Sequence, residues 1–227
     1  MAELIAPDWP APRGVHTLVT TRSFGDMRKG GEGRAHLRSL VPAEPRWLTQ
    51  VHGIEVLDLD AASAAAPEPP ADAAITRRRG TPCAALVADC MPVLFASRAG
   101  DLIGVAHAGW RGLAAGVIEA TLEAMNLPAG EVLAWLGPAI GARAYEVGAE
   151  VYDAFVARDP AAQAAFLPSR PGHWRLDLYA IARQRLSARG VRQVWGGDFC
   201  THGEPGRFFS WRREHTPERM AAVIWLT

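Results

Sequence analysis

Short apolar runs that end at turn-forming or charged residues recur along the chain. Each run covers only a few residues, a length that favours strands over buried helices. The predicted strands are Val15–Thr20, Glu55–Leu59, Cys83–Val87, Val93–Ala96, Leu102–Ala106, Val132–Leu136, Val194–Gly196 and Ala222–Leu226. The pattern therefore predicts a protein with short strands spread over its whole length.

Three segments carry apolar residues at helical spacing instead. The first begins at Gly112 and stops at Pro128, which cannot continue a helix. The other two are Ala149–Arg158 and Leu178–Arg189. Because strands and helices mix without regular alternation, we predict the α+β class over a doubly wound sheet. The expected architecture is a layered domain in which mixed β-sheets are flanked by helices.

Two stretches predict loops. The segment Ala61–Ala74 is rich in alanine and contains three prolines, which makes a long helix unfavourable and indicates a surface loop. The glycine-rich segment Gly25–Gly33 is expected to be flexible. Neither stretch has the length or composition of an interdomain linker, so we predict one domain over residues 1–227.

Composition and charge narrow the function classes. Lys plus Arg and Asp plus Glu are 24 each, so no global charge attracts nucleic acid or an anionic membrane. No apolar stretch approaches the roughly 18 residues that span a bilayer, and no secretory signal is visible. The three cysteines are an odd number, which argues against a disulfide framework and favours a reducing cytoplasm. We therefore expect small-molecule partners, with neither nucleic acid nor membrane among them.

Three potential metal ligands stand beside strand ends or turns. His52 precedes Gly53, Cys90 follows the apolar run that ends at Ala88, and His107 ends another run just before a predicted helix. Two imidazoles and one thiolate suit zinc or copper, and three protein ligands leave a fourth position open, as in catalytic sites. Residue types alone leave the alternative open that two histidines and a thiol are simply buried in the core.

Five segments, in order, resemble the laccase-domain family, also called multicopper polyphenol oxidase, purine nucleoside phosphorylase or peptidoglycan editing factor. They are TQVHG, ADCMPVLFA, VAHAGWRGLAAGVI, LGPAIGARAYEVG and RFFSWRRE. The resemblance covers nearly the whole chain, from about Gly14 to Leu226. It implies that the metal is held by the histidine of QVHG, the cysteine of ADC and the histidine of HAGWRG, which are His52, Cys90 and His107 here.

The chain departs from the family pattern in two regions. The segment at 31–45 lacks the family's Asn-Leu and following Gly-Asp, and residues 216–220 read Thr-Pro-Glu-Arg-Met where the family has Thr-Gly-Arg-Met. Both regions are expected near the pocket, so they bear on substrate preference more than on the metal.

Several other residues are candidates for binding or catalysis. Arg111 lies near a predicted helix start between two glycines, where it would bind phosphate or another oxyanion, or form a surface ion pair. Gln50 shares a strand face with His52 and would line the pocket or hydrogen-bond to substrate. Asp89 should point away from Cys90 by strand alternation, and would orient a histidine or cap a structural element.

Two further segments supply candidates. Tyr145 and Glu146 follow a turn that is expected to approach the pocket, where Glu146 would be a general base or a partner in a structural ion pair. The segment at 207–214 carries arginines and aromatic rings, so Phe209 or Trp211 would stack on a base. Cys200 and His202 form a Cys-x-His pair that the resemblance does not assign to the metal; we interpret Cys200 as a buried thiol.

The resemblance implies phosphorolysis of adenosine, inosine, guanosine or methylthioadenosine, and deamination of adenosine, with zinc as cofactor and copper as an alternative. Arg111 is the first candidate to hold phosphate. A second possibility is that Cys90 is a nucleophile and His107 its base, although a thiolate bound to zinc is a poorer nucleophile. Three alternatives remain: a peptidoglycan editing hydrolase acting on wall precursors, a copper polyphenol oxidase, and a non-catalytic metal-binding protein. The oligomeric state is not predicted.

Overall fold

The computed structural model describes residues 3–61 and 68–227, which form three β-sheets flanked by helices. The strands are β1 Leu4–Ile5, β2 Val15–Thr20, β3 Val56–Asp58, β4 Ala73–Thr76, β5 Cys83–Val87, β6 Met91–Ser97, β7 Ile103–Ala108, β8 Val132–Leu136, β9 Glu146–Gly148, β10 Phe166–Pro168, β11 His173–Leu176, β12 Gln193–Gly196 and β13 Met220–Leu226. The α-helices are α1 Glu32–Arg38, α2 Trp110–Ala115, α3 Val117–Met125, α4 Ala149–Val156, α5 Leu178–Ala188 and α6 Trp211–Glu214, and short 3₁₀ turns cover Arg22–Phe24, Ala129–Glu131 and Pro160–Ala165. None of the described helices is long and apolar enough to cross a membrane.

A six-stranded mixed sheet lies at the centre, in the order β12-β8-β6-β7-β4-β3. Its strands are apolar on both faces because both faces are covered. Two successive residues of β6 show this. Phe95 packs with α2, α3 and α5 in one core cluster, whereas Leu94, on the opposite face, packs with the four-stranded sheet β1-β2-β13-β5 in another. A third cluster covers the outer face of that sheet with α1 and its flanking loops. The layers are therefore helices, sheet, sheet and helix, which confirms the predicted α+β fold with mixed sheets and flanking helices.

The apolar runs locate eight strands correctly, each to within two residues at either end. The sequence misses β1, β4, β9, β10 and β11, which are two to four residues long. Strands this short contain too few residues to show an alternating pattern. The small sheet β10-β11-β9 consists entirely of such strands.

The predicted helix from Gly112 is broken in the structure. Gly116 has a φ of 110°, a left-handed conformation that ends α2 and precedes α3. The first of these helices also begins earlier than predicted, at Trp110. Apolar spacing continues through the break because both helices pack on the same sheet, so spacing alone does not reveal the interruption.

Both predicted loops need correction. Residues 62–67 lie outside the described residues, but the rest of Ala61–Ala74 is not all surface loop: Asp72 is buried and Ala73 begins the buried strand β4. The Gly25–Gly33 segment, predicted to be flexible, is tied to the fold. Its Met27 is fully buried, and Asp26 accepts hydrogen bonds from the backbone N–H of Arg28 within the segment and from that of Arg219, far away in sequence. These fixed contacts with the rest of the fold take precedence over the local glycine content.

Candidate metal centre and its pocket

Three strand ends bring His52, Cys90 and His107 together. His107 lies on β7, Cys90 directly precedes β6, and His52 lies in the loop before β3. Their candidate ligand atoms all lie within 4.8 Å of one another. The Cys90 Sγ is 3.8 Å from His52 Nε2, and the two imidazole rings meet edge to face at 4.8 Å between centroids. The fold thus assembles the three residues that the sequence singled out.

A buried carboxylate, Asp72, organises two of these three side chains. One of its oxygens lies 2.8 Å from His107 Nδ1, so the other ring nitrogen of His107 is directed to the site. The same carboxylate accepts hydrogen bonds from the backbone N–H groups of Val51, His52 and Gly53, at 2.7–3.1 Å. A carboxylate behind a ligand histidine fixes the ring and its tautomer. Asp72 therefore fixes the His107 ring and the His52 loop at once.

The backbone conformation of His52 and the lack of a side chain at two glycines allow the candidate ligands to come close together. His52 has a φ of 60°, a left-handed conformation that is uncommon for a residue other than glycine. A Cβ on Gly109 would lie 2.8 Å from Cys90 Sγ and 2.9 Å from His52 Cδ2. A Cβ on Gly112 would lie 2.9 Å from the carbonyl oxygen of Gly53. The glycines of the HAGWRG segment therefore let α2 approach the three candidate ligands.

The charges of the site are strongly coupled. Burial would raise the pKa of the Cys90 thiol, but the charge and hydrogen bond of His107, with a smaller effect of His52, lower it to about 6. Burial would lower the pKa of His107, but Cys90 and Asp72 raise it to about 9. Asp72 is likewise buried, yet the hydrogen bonds of His107 and Gly53 lower its pKa. The mutual shifts favour the thiolate form of Cys90 and the protonated form of His107.

The donor set fits a zinc or copper ion. Zinc binds sulfur at about 2.3 Å and imidazole nitrogen at about 2.0–2.1 Å, so donors on one tetrahedral ion lie roughly 3.3–3.7 Å apart. The 3.8 Å between Cys90 Sγ and His52 Nε2 is close to that spacing. Within residues 3–61 and 68–227 no fourth His, Cys, Asp or Glu joins the group. Three donors are the number that leaves a position for water or substrate.

The candidate metal centre opens into a pocket of about 580 Å³. Its lining mixes apolar, aromatic and basic side chains. The lining residues are Arg28, Leu48, Gln50, His52, Leu86, Ala88, Asp89, Cys90, His107, Trp110, Arg111, Ile140, Tyr145, Leu178, Trp211, Arg212 and Arg219. A concave site with apolar walls and a few converging polar groups is typical of small-molecule binding.

Three of the residues predicted to touch substrate line this pocket. Gln50 does so while its amide forms two hydrogen bonds with the backbone of Leu86, at 2.7 and 2.8 Å, so it also holds the His52 loop to β5. Tyr145 is largely buried under the guanidinium of Arg212, and burial raises the pKa of its phenol. Arg111 stacks on Trp110 at 4.4 Å and remains 59% exposed.

Two predicted substrate residues lie elsewhere. The Glu146 carboxylate accepts hydrogen bonds from Ser169 and Arg170 outside the pocket lining, and these contacts lower its pKa, so it is placed as a structural ion-pair partner and not as a base. Phe209 is buried with Arg22 over its ring at 4.7 Å. Trp211, which is 48% exposed, lines the pocket instead. The aromatic character of the segment was visible in the sequence, but which ring turns inward was not.

Asp89 caps a distant segment and does not orient a histidine. Its carboxylate accepts hydrogen bonds from the hydroxyls of Thr201 and Ser210 and from the backbone N–H of Arg212. Its φ of 86° reverses the chain between β5 and β6, which turns Cys90 to the site. Cys200 is half-buried, with its sulfur near the N–H groups of Gly141 and Gly203, outside the candidate metal group.

Sequence reasoning missed Asp72, Arg28 and Arg219, and it indicated Arg212 only as one of several arginines in the segment at 207–214. We call Arg28, Trp211, Arg212 and Arg219 the arginine face, and His52, Cys90 and His107 the metal face. The arginines come from segments that local patterns marked only as a glycine-rich stretch, an aromatic run and a departure from the family motif. No local signal shows that segments so far apart in sequence meet in one pocket.

Comparisons with known proteins agree with this picture. A family model described as multi-copper polyphenol oxidoreductase laccase matches residues 25–227. The chain is 45% identical to a protein named purine nucleoside phosphorylase PA4543 from Pseudomonas aeruginosa, with 98% of each chain covered. It is 44% identical to purine nucleoside phosphorylase YfiH of Escherichia coli over the full length of both.

Solved structures give the same assignment. The crystal structure of Neisseria meningitidis protein NMB0706 superposes with a TM-score of 0.92 at 41% identity, covering 98% of each chain. That of YlmD from Geobacillus stearothermophilus superposes with a TM-score of 0.82 at 26% identity, covering 96% of this chain and 93% of that one. By sequence and by fold, the chain belongs to the multi-copper polyphenol oxidoreductase laccase family.

Proposed function

We propose that the protein is a zinc-dependent purine nucleoside phosphorylase that accepts adenosine, inosine, guanosine and methylthioadenosine and also deaminates adenosine. The observation that carries this proposal is a three-donor site that opens into a pocket with both aromatic and basic lining residues. Purines stack on aromatic rings, and arginines bind phosphate. Two relatives at 44–45% identity carry the name purine nucleoside phosphorylase.

In phosphorolysis a phosphate oxygen forms a bond to C1′ of the ribose while the bond from C1′ to N9 of the purine breaks. The electron pair leaves on the base, which takes up a proton. The pocket arginines hold the phosphate monoanion or dianion against the sugar, and Trp211 offers a face for the base. Tyr145 also lines the pocket. The role of this chain is thus chiefly to position two reactants, which removes much of the entropic cost of a bimolecular step.

For deamination, His52, Cys90 and His107 would hold the ion, and a bound zinc would make hydroxide available at neutral pH, because zinc lowers the pKa of water to about 7. The hydroxyl would replace the amino group at C6 of adenosine, which would leave as ammonia. His107 is held by Asp72 so that its nitrogen faces the site, and His52 is held through its backbone. Copper is the alternative ion for the same donors. A four-copper centre would need further histidine clusters, and the described ranges contain a single group of this kind.

The test is a substrate screen on purified protein loaded with zinc or copper. Adenosine and inosine are incubated with and without phosphate, and adenine, hypoxanthine, inosine and ribose 1-phosphate are quantified. The proposal expects ribose 1-phosphate only when phosphate is present, and inosine from adenosine without it. Stoichiometric metal with no turnover of any nucleoside would favour a non-catalytic metal-binding protein.

One observation favours a second candidate, a hydrolase that edits peptidoglycan precursors. Cys90, His107 and Asp72 are arranged as nucleophile, base and orienting carboxylate, and the pKa of Cys90 is lowered to about 6. In that reading the Cys90 thiolate forms a bond to an acyl carbon, the amine or alcohol of the substrate leaves with a proton from His107, and water then hydrolyses the thioester, with no metal in the step. Hydrolysis of a wall precursor that survives chelation and stops on alkylation of Cys90 would favour this candidate over the phosphorylase.

A further inference from the structure

Two arginines from opposite ends of the chain are held side by side at one part of the pocket. Asp26 accepts hydrogen bonds from the backbone N–H of Arg28 at 3.1 Å and of Arg219 at 3.0 Å, and it also pairs with Arg28 Nε at 2.9 Å. The backbone N–H of Met27 donates in turn to the carbonyl of Arg219 at 3.0 Å. Both arginine side chains line the pocket. A single buried carboxylate thus joins the Gly25–Gly33 segment to the 216–220 segment.

Each guanidinium forms hydrogen bonds through one of its nitrogens and has other nitrogens that form none among the described residues. Arg219 Nη1 donates to the carbonyl oxygens of residues 216, 217 and 218, at 2.6–3.1 Å. Among the described residues no hydrogen bond uses its Nε or Nη2, and none uses Arg28 Nη1 or Nη2. Two anchored forks with free N–H groups match the oxygens of a phosphate, which arginine binds bidentately.

The electrostatics of the pair favour an anion. Burial lowers the pKa of Arg219, the negative charge of Cys90 opposes this shift, and the positive charge of Arg28 lowers the pKa further. Arg219 is partly buried beside the second cation, and Asp26 and Asp89 are the carboxylates whose charges act on it. Asp89 also lines the pocket, but its oxygens already accept three hydrogen bonds from Thr201, Ser210 and Arg212.

Arg111, the phosphate ligand suggested by the sequence, is less well placed. Its guanidinium lies over Trp110 at 4.4 Å, is 59% exposed and has Glu150 at 3.9 Å. Its helix α2 is only six residues long. Arg28 is also exposed, at 45%, and pairs with Asp26, but Arg219 adds a second positive charge beside it. A single exposed cation beside a carboxylate attracts an anion less strongly.

We propose that Arg28 and Arg219, positioned by Asp26, form the main phosphate-binding subsite of this pocket. The proposal deepens the proposed function and rests on the same pocket. The phosphate group has two possible sources, free inorganic phosphate as co-substrate or a phosphoester carried by a nucleotide substrate. Binding of either source requires the same two guanidinium forks.

The test is calorimetric titration of the zinc-loaded full chain with inorganic phosphate, and separately with adenosine 5′-monophosphate, in a buffer free of other oxyanions. The variants are Arg28→Ala, Arg219→Lys and Arg111→Ala. Arg189→Ala is the matched control, because it removes the same charge from a residue that pairs with Glu123 outside this pocket. Arg219→Lys keeps the charge but loses the fork, and Arg28→Ala removes a partly exposed side chain, so both are expected to fold.

We expect the dissociation constant for phosphate to rise about tenfold in Arg28→Ala and in Arg219→Lys, the effect of losing one charge-assisted contact. Arg189→Ala should bind as the unaltered protein does, and Arg111→Ala should change binding by less than either subsite variant. Dependence on the pair for the nucleotide alone would identify the phosphate as part of the substrate and would still support the subsite. Phosphate and nucleotide binding that are both unchanged in Arg28→Ala and Arg219→Lys would overturn it.

The outcome separates the subsite from the proposed function. Phosphate binding that depends on the pair, without ribose 1-phosphate from any nucleoside, would retain the subsite and reject phosphorolysis. Phosphorolysis with a KM for phosphate that is the same in Arg28→Ala and Arg219→Lys as in the unaltered protein would support the proposed function and reject the subsite.

Discussion

The metal face and the arginine face of the pocket are built in different ways. The metal face stands at the ends of paired strands, with His107 on β7 beside Pro92 of β6 in the same ladder. The arginine face comes from loops and the short helix α6, joined by hydrogen bonds to buried carboxylates. Sheet pairing positions Cys90 and His107, with Asp72 holding the His52 loop beside them, whereas Asp26 and Asp89 position the arginine face. The metal face, whose donor distances must be fixed, is supported by the sheet, whereas the arginine face, which would recognise substrate, lies mainly on loops.

The largest expected effect comes from removing the only sulfur of the metal face. Cys90→Ala should lose stoichiometric zinc and nucleoside turnover, with a drop in metal affinity beyond the roughly 100-fold that loss of a supporting residue costs. Metal content after dialysis against buffered free zinc measures this. The control is Cys200→Ala, which lies outside the candidate group and should keep its zinc. Stoichiometric zinc in Cys90→Ala would show that the Cys90 thiolate is not a metal ligand.

Adding a methyl group at Gly109, inside the metal face, should weaken zinc binding nearly as much. In Gly109→Ala the new methyl group would lie 2.8 Å from Cys90 Sγ, closer than carbon and sulfur tolerate. The φ of Gly109 is −66°, so the backbone itself accepts alanine and the effect isolates the contact. We expect weak zinc binding with a preserved far-ultraviolet circular dichroism spectrum. Gly130→Ala, where a Cβ would meet nothing within 4 Å, is the matched control.

The two buried aspartates of the pocket offer a direct contrast between the faces. Asp72→Asn keeps the shape but loses the charge behind His107, so zinc affinity should fall by about 10- to 100-fold. Asp89→Asn should leave zinc affinity unchanged and raise the KM for nucleoside, because it loosens the segment of Arg212. Zinc competition assays and steady-state kinetics on both variants test the contrast. Equal effects of the two substitutions on zinc would contradict the division into two faces.

A smaller effect distinguishes two aromatic residues of one segment. Trp211→Ala should raise the KM for purine nucleosides, because stacking contributes about 1–3 kcal/mol per base. Phe209→Leu should instead lower the melting temperature and leave KM nearly unchanged, since Phe209 is only 5% exposed. Kinetics and thermal unfolding of both variants measure this. A larger rise of KM in Phe209→Leu than in Trp211→Ala would favour Phe209 as the residue that stacks on the base.

The smallest effect is expected at Glu146. Its carboxylate is solvent-exposed and paired with Arg170 and Ser169 outside the pocket lining. Glu146→Gln should therefore retain kcat/KM for adenosine and inosine across the pH range of activity. A large loss of kcat with an altered pH profile would return Glu146 to the role of general base.

The sequence predicts the metal face much better than the arginine face. Cys90 and His107 are ligand types at the ends of paired strands, so their meeting follows from strand pairing, whereas His52 joins them from a loop that Asp72 holds. Asp72 was hidden because it stands among prolines and alanines that predict a loop, although its carboxylate bonds to His107 and to the His52 loop. A carboxylate that acts through tertiary contacts leaves no periodic signal.

The arginine face depends on contacts far apart in sequence. Arg28 and Arg219 meet only because Asp26 bonds to both backbones. Of the two aromatic candidates in one segment, Trp211 enters the pocket because α6 begins after Ser210, whose side chain caps that helix and bonds to Asp89. Neither arrangement follows from local pattern. The most informative local cue was the departure from the family motif at 216–220, which indicated the region but not its partner.

X-ray absorption at the zinc edge of the loaded protein is the most direct test of the central claim. The account predicts one sulfur at about 2.3 Å, two imidazole nitrogens at about 2.0–2.1 Å and one further light atom that exchanges with added ligands. A spectrum without sulfur, or one with four protein donors and no exchangeable position, would contradict it.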